Sequence, residues 1–202
     1  MQLKRLIIFL LCLLPLSAFA GNKAPLDILK DAQKNAEKLL STTPKPGSPE
    51  ADKRKKDLEA EARTLFDFEE LAKLALAKSW DTGTDAQKKE FVTLFSKPIV
   101  ENYLTQLEGR SSKGFTLTWG KETIDGSKAT VESNVKGKTT AGKPVDINVK
   151  YFLIQKGTSW MVYDVVTDDS SVVAVQKETF KNMFKKEKTF ENVLIKIRKK
   201  VK

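Results

Sequence analysis

Residues 158–180 read TSWMVYDVVTDDSSVVAVQKETF, and this stretch decides how the second half of the chain folds. Its first part has the composition of a β-strand. Strict alternation puts apolar side chains on both faces of that strand, Trp160 and Val162 on one and Met161, Tyr163 and Val165 on the other. An acidic corner follows, and then a second apolar run. Two arrangements explain this: a central strand covered by the C-terminal helix, or a sheet that curls around an apolar cavity.

Three earlier stretches alternate with period two, at 115–119, 128–136 and 145–155. Together with 159–167 they predict four strands. The links between them are short and contain glycine, at Asp125-Gly126, Ala141-Gly142 and Lys156-Gly157. Short links join neighbouring antiparallel strands, so the strands should form a meander.

Helical periodicity dominates the rest of the chain. The spacing of apolar residues predicts helices at 25–40, 51–65, 65–80, 85–107, 171–186 and 189–200. Asp67 is placed to cap the third helix, and Thr84 with Gln87 forms a capping box for the fourth. Pro98 is expected to kink or divide that fourth helix. Helices, then a sheet, then helices predict an α+β fold.

The first twenty residues have the features of a secretory signal peptide. Lys4 and Arg5 precede an apolar run, and Ala18-Phe19-Ala20 is a small-x-small cleavage site. An uncleaved N-terminal anchor is the alternative. We therefore expect one domain at 21–202, exported to the periplasm.

Composition argues against most catalytic chemistry. The chain has no histidine, and its one cysteine, Cys12, lies inside the predicted signal peptide. This excludes Ser-His-Asp and Cys-His catalysis and the usual zinc sites, so we predict a protein that is not an enzyme. Without Lys4 and Arg5 the chain has 34 basic and 26 acidic residues, a formal charge of +8. In an exported protein this charge suits anionic lipid or an acidic protein partner, and we expect no nucleic acid.

Three motifs carry a resemblance to one family. FDFEELAKLALAKSW (66–80), DAQKKEFVTLFSKPIVENY (85–103) and WMVYDVVTDDSSVVAVQKETF (160–180) resemble, in order, the corresponding segments of the MlaC family, also called toluene-tolerance auxiliary proteins. The chain departs from the family pattern at Ala77, where the family has glycine, at the corner Asp168–Ser171, and at Gln176-Lys177. The corner lies near where a cavity mouth would be, the part of the molecule that bears on headgroup preference and partner choice.

The resemblance implies a periplasmic phospholipid carrier, which we expect to act as a monomer. It implies helices packed on a twisted antiparallel sheet, with acyl chains in an apolar cavity between them. The partners would be an outer-membrane lipoprotein complex and an inner-membrane ABC transporter complex, which together maintain outer-membrane lipid asymmetry. Phospholipid would be the cargo, and no cofactor or metal is expected.

Lipid contact is predicted for apolar residues on the elements that would enclose such a cavity. They are Trp80, Tyr103, Trp119, Val131, Val135, Ile147, Val149, Tyr151, Val165, Val172 and Val173. The lysine-rich last helix suggests a docking surface for a partner or membrane at Lys196, Lys199 and Lys200. Its apolar residues share one helical face and should hold the helix against the body, with the lysines outward.

Three alternative functions remain open at this point. The chain could carry another lipid, such as a hopanoid, or act only as a periplasmic interaction protein. It could also be an enzyme with a similar cone-shaped α+β fold, in which Asp164 or Asp146 acts as a base. Against the enzyme, a strand aspartate is more often bound by nearby backbone donors.

Overall fold

A computed structural model of the chain describes residues 23–111, 114–138 and 142–201. The predicted signal peptide and Ala141 of the second strand link lie outside the described residues. The helices are α1 (Pro25–Leu40), α2 (Pro49–Leu65), α3 (Phe68–Leu76), a 3-10 helix (Ala77–Thr82), α4 (Asp85–Ser111), α5 (Val172–Glu187) and α6 (Phe190–Lys200). The strands are β1 (Thr116–Asp125), β2 (Lys128–Lys138), β3 (Pro144–Lys156), β4 (Ser159–Thr167) and β5 (Ser170–Ser171).

The predicted helix starts are confirmed by their caps. The Asp67 carboxylate accepts a hydrogen bond from the Glu70 backbone N–H at 3.0 Å and so begins α3. At the start of α4, Thr84 and Gln87 each accept a hydrogen bond from the other's backbone N–H, at 3.3 and 3.0 Å. These bonds pair N–H groups that lack an intrahelical partner.

Helix α4 runs through Pro98 without interruption, so the proline does not divide it. Pro98 lies on the exposed side of the helix. A proline removes one N–H donor from the helix, and on the exposed side water can bond the carbonyl that is left over.

The strands form one antiparallel sheet in the order β1-β2-β3-β4-β5, which confirms the α+β class and the meander. The predicted number of four strands is wrong, because β5 adds a fifth of two residues. Asp168 and Asp169 both have positive φ, 46° and 67°, and turn the chain back onto the end of β4. Such two-residue turns usually contain glycine or asparagine, so the sequence did not indicate this one.

A β-bulge in β4 changes which side chains share a face. Leu153 pairs with Val162 and Phe152 pairs with Asp164, so Tyr163 is the extra residue. Beyond it Val165 pairs with Tyr151 and lies on the same inner face as Val162. The prediction from alternation, which put Val165 on the opposite face, is therefore wrong.

Two apolar cores hold these elements together. The sheet core lies between α1, α2 and α4 and the inner face of the sheet, where Leu29, Leu58, Val131, Leu153 and Val162 are buried. The helical core joins α3, α4, α5 and α6 through a second set of side chains, among them Leu71, Phe91, Phe95, Phe180, Phe190 and Leu194. Helices α3 and α4 contribute to both cores and so join the sheet to the C-terminal helices.

Candidate functional site: two apolar cavities between the helices and the sheet

Cavity one lies between α1 and the first three strands and has a volume of about 380 Å³. Helix α1 contributes one face of side chains, and the sheet contributes the inward residues of β1, β2 and β3. Its apolar lining consists of Leu29, Ala32, Ala36, Leu40, Leu65, Phe66, Tyr103, Leu107, Phe115, Leu117, Trp119, Val135 and Tyr151. Gln33, Glu37 and Ser41 of α1 and the α1–α2 loop add polar groups to this lining.

Cavity two lies between α4 and strands β3 and β4, and its volume is about 340 Å³. The first residue of α5 and one residue of α3 also reach it. Its apolar lining consists of Phe66, Leu71, Ile99, Tyr103, Leu107, Ile147, Val149, Tyr151, Val165 and Val172. Asn102, Gln106, Thr167 and Asp168 supply its polar groups.

Cavities one and two are adjacent and share four lining residues: Phe66, Tyr103, Leu107 and Tyr151. The rings of Phe66 and Tyr103 are in edge contact, with centroids 5.4 Å apart. Both volumes fall in the range of small-molecule sites, and both linings are mainly apolar with a few polar groups. The arrangement can therefore accept an apolar ligand that divides into two branches.

Secondary structure explains how so many apolar side chains reach these cavities. Leu29, Ala36 and Leu40 recur on one side of α1 at helical spacing. On β3, Ile147, Val149 and Tyr151 alternate with polar residues and point to the inner face. The β4 bulge then brings Val165 onto the same face, opposite Tyr151.

Eight of the eleven predicted contact residues line one or both cavities. They are Tyr103, Trp119, Val135, Ile147, Val149, Tyr151, Val165 and Val172. The other three lie elsewhere: Trp80 is buried in the helical core, Val131 is buried in the sheet core, and Val173 packs against the helical core. Contact with lipid stays a prediction for all eleven.

The sequence did not single out the contribution of the helices. Helix α1 and residues Phe66 and Leu107 line the cavities but were not predicted to do so. The apolar stripe of α1 was visible at 25–40, yet a stripe that packs on a core and one that faces a cavity have the same period.

Asp164 supports the rim of cavity two. Its carboxylate accepts hydrogen bonds from the backbone N–H groups of Val165 (2.8 Å) and Val173 (3.0 Å) and from the hydroxyl of Ser171 (2.6 Å). These bonds tie the end of β4 to the start of α5. The Asp164 carboxylate therefore has a structural role as a hydrogen-bond acceptor, as expected for a strand aspartate near backbone donors. The other candidate base, Asp146, is exposed, and hydrogen bonds from Asn134 and Lys136 lower the pKa of its carboxyl group.

An ion pair between an exposed lysine and a buried aspartate fixes the opposite end of β4. Lys156 Nζ, in the hairpin between β3 and β4, lies 2.6 Å from the buried carboxylate of Asp67 at the start of α3. Burial by itself would lower the pKa of Lys156, but the hydrogen bond and charge of Asp67, with Glu69 and Glu70 nearby, raise it. The Asp67 backbone N–H also donates to the Val162 carbonyl at 2.8 Å. These polar contacts therefore join the start of α3 to strands β3 and β4.

The last helix has the orientation that was predicted for it. Phe190, Val193, Leu194 and Ile197 are buried in the helical core. The predicted docking residues Lys196, Lys199 and Lys200 are all exposed. Lys196 Nζ lies 3.6 Å from a Glu187 carboxylate oxygen.

Within residues 23–111, 114–138 and 142–201, no cluster of three or more acidic, histidine or cysteine side chains could hold a metal ion. In the same part of the chain, no helix combines the length and the apolar character needed to cross a bilayer.

Comparison with known proteins identifies the family. No curated protein matches the chain significantly. A solved structure of the phospholipid-binding protein from Ralstonia solanacearum, in complex with a phospholipid, superposes with a TM-score of 0.69 at 16% sequence identity. The match covers 87% of this chain and 95% of the Ralstonia chain, and it shows a shared fold. The family model described as MlaC protein matches residues 33–199, and the chain therefore belongs to the MlaC family.

Proposed function

We propose that this protein is a periplasmic phospholipid carrier. It moves lipid between an outer-membrane lipoprotein complex and an inner-membrane ABC transporter complex, and so helps to maintain the lipid asymmetry of the outer membrane. The observation that carries the proposal is the pair of adjacent apolar cavities that share Phe66, Tyr103, Leu107 and Tyr151. Family membership and the lipid-bound Ralstonia relative support it.

The shape of the site matches a lipid with two chains. A diacyl phospholipid has two acyl chains that join at a glycerol group, and the two adjacent cavities share four lining residues. Each cavity would receive one chain, and the polar headgroup would stay at a rim near side chains such as Asp168 or Glu37. Polar groups must stay hydrated or hydrogen-bonded, which is why the headgroup does not follow the chains inward.

Carriage of this kind is energetically reasonable. Burying one methylene group is worth about 0.8 kcal/mol, so a sixteen-carbon chain is worth on the order of 12 kcal/mol. Free passage of such a chain through water is therefore negligible. A membrane offers the same burial, however, so exchange between membrane and carrier lies near balance and docking partners can bias its direction.

The proposal is tested by native mass spectrometry of the protein purified from a bacterial periplasm, followed by lipid extraction. We expect diacyl phospholipid at about one molecule per chain. A different extracted lipid, such as a hopanoid, would replace the cargo but keep the carrier function. Protein that is always empty, and that cannot be loaded from phospholipid vesicles, would refute the carrier function.

A pair of variants locates the lipid. Leu107 lines both cavities, so Leu107→Trp should fill their junction and reduce lipid occupancy severalfold while the fold is retained. Ile195 of α6 is 39% exposed and lies outside both linings, so Ile195→Trp is the matched control and should keep normal occupancy. Equal occupancy in the two variants would place the lipid elsewhere on the molecule.

A further inference from the structure

Ser133, in the centre of β2, has a buried hydroxyl group without a partner. The residue is 5% exposed, and its Oγ has no hydrogen-bond partner among the residues that the structure describes. Its neighbours on the inner face of β2, Val131 and Val135, are both fully buried. A buried hydroxyl without a hydrogen bond is unfavourable, and native proteins contain few of them.

Ser133 itself lines neither cavity, but its two cross-strand neighbours do. It pairs across the sheet with Trp119 of β1, which lines cavity one, and with Val149 of β3, which lines cavity two. Directly opposite residues in a sheet have Cβ atoms about 5 Å apart, so its hydroxyl is close to both linings. Tyr151, which lines both cavities, is the diagonal neighbour of Ser133 on β3.

Two aromatic rings lie beside Ser133 on the inner face of the sheet. Trp119 and Tyr151 come from the strands on either side of β2, and their ring centroids are 5.7 Å apart. Their parent strands are separated by about two strand spacings, roughly 9.6 Å, so both rings lean over β2. The Trp119 Nε1–H donates to the Gln33 side-chain oxygen of α1 at 2.9 Å. A ligand would therefore reach Ser133 only if these two rings separated.

We propose that Ser133 is a specificity-determining residue that recognises the ester linkage of the carried lipid. As the lipid enters, the rings of Trp119 and Tyr151 separate, and Ser133 Oγ donates a hydrogen bond to an ester carbonyl oxygen. The carbonyls are the hydrogen-bond acceptors nearest to the chains, and they lie where the chains converge. The inference rests on the proposed function, because it assumes that a two-chain lipid occupies both cavities.

The test compares two lipids that differ only at this linkage. Delipidated protein is loaded from mixed micelles with equal amounts of a diacyl phosphatidylethanolamine and its dialkyl ether analogue, which has the same chains but no ester carbonyl. Native mass spectrometry measures the ratio of the two bound lipids. The ratio is compared between the unmodified protein and Ser133→Ala, so that differences between the lipids in water and micelles cancel.

We expect the ester-to-ether ratio to fall about three- to tenfold in Ser133→Ala, the size expected for one buried hydrogen bond. Ser133→Cys, which is nearly isosteric but a weak donor, should behave like Ser133→Ala. Ser133→Thr keeps the hydroxyl and should retain the preference for the ester. Thr130→Ala is the control on the same strand, because Thr130 pairs with Thr123 and Phe152, away from the inner face.

Stability of the empty protein provides an independent check on folding. Ser133→Ala removes an unpaired buried hydroxyl, so the Tm of the delipidated variant should be unchanged or higher. An equal ester-to-ether ratio in the unmodified protein and Ser133→Ala would overturn the inference, while lipid binding itself would leave the carrier function standing. Failure of the unmodified protein to bind either lipid would instead refute the proposed function.

Discussion

Ala77 adopts a backbone conformation that favours glycine. It ends α3 with φ 48° and ψ −127°, the mirror image of an extended conformation and close to the first central residue of a type II′ turn. A side chain with a Cβ atom is strained there, whereas glycine is not. This is also the position at which the MlaC family pattern has glycine. Ala77→Gly should therefore stabilise the protein.

The expected gain follows from two opposing terms. Relief of the backbone strain should contribute about 1–3 kcal/mol. The greater freedom of glycine in the unfolded chain should cost about 0.4–1 kcal/mol. The Ala77 side chain is exposed, so removing its methyl group leaves no cavity. The net gain should be about 0.5–2 kcal/mol, which raises the Tm of a domain of this size by roughly 2–6 °C.

Thermal unfolding followed by circular dichroism measures this gain on delipidated protein, so that lipid binding does not contribute. The control is Ala60→Gly, because Ala60 is exposed inside α2 and has ordinary helical geometry. There glycine should destabilise by about 1 kcal/mol. The same substitution should thus raise the stability at residue 77 and lower it at residue 60. A Tm that falls equally in both variants would show that Ala77 carries no strain.

Three more predictions concern other contacts. Gly83→Ala should lower stability by about 1–3 kcal/mol in urea unfolding, because its Cβ would lie 2.6 Å from the buried Phe190 ring; an unchanged midpoint would contradict this packing. Arg198 binds Glu90 through two hydrogen bonds and holds the pKa of that carboxyl group below its ordinary value. This contribution, which solvent screens at such an exposed pair, is present above about pH 4.5 and is lost as pH falls through the lowered pKa. Glu90→Gln should therefore lower the Tm at pH 7, and this deficit should shrink as the pH falls below about 4.5; a deficit that does not change with pH would refute the assignment. In stopped-flow measurements, association with anionic vesicles should slow severalfold between low and physiological salt. It should slow further when lysines of α6 are replaced by glutamate. Association rates that change with neither salt nor these substitutions would place docking on another face. The lysines to be reversed are Lys196, Lys199 and Lys200.

Local sequence patterns predicted the structure correctly wherever the deciding interaction joins residues that are close together in the chain. The caps at Asp67 and at Thr84 with Gln87 join residues three positions apart, so the chain specifies them without tertiary context. The buried face of α6 follows from helical period alone. All three predicted cavity residues on β3, Ile147, Val149 and Tyr151, were found for a similar reason, since alternation along an unbroken strand assigns its inner face.

What the sequence alone determined, then, is the class of fold, the order of its elements, and the apolar surfaces that these elements must cover. The tertiary structure decided which apolar surfaces pack closely and which leave space. Val131 and Tyr151 are direct neighbours on the inner face of the sheet, yet Val131 is sealed in the sheet core and Tyr151 lines both cavities. The position of Val165 in the lining of cavity two also depends on tertiary structure, because the bulge at Tyr163 moves this residue to the inner face. The period of apolar residues shows only which side chains are buried away from water. The distance between a helix and the sheet depends instead on contacts between residues far apart in the chain, such as the ion pair of Asp67 with Lys156.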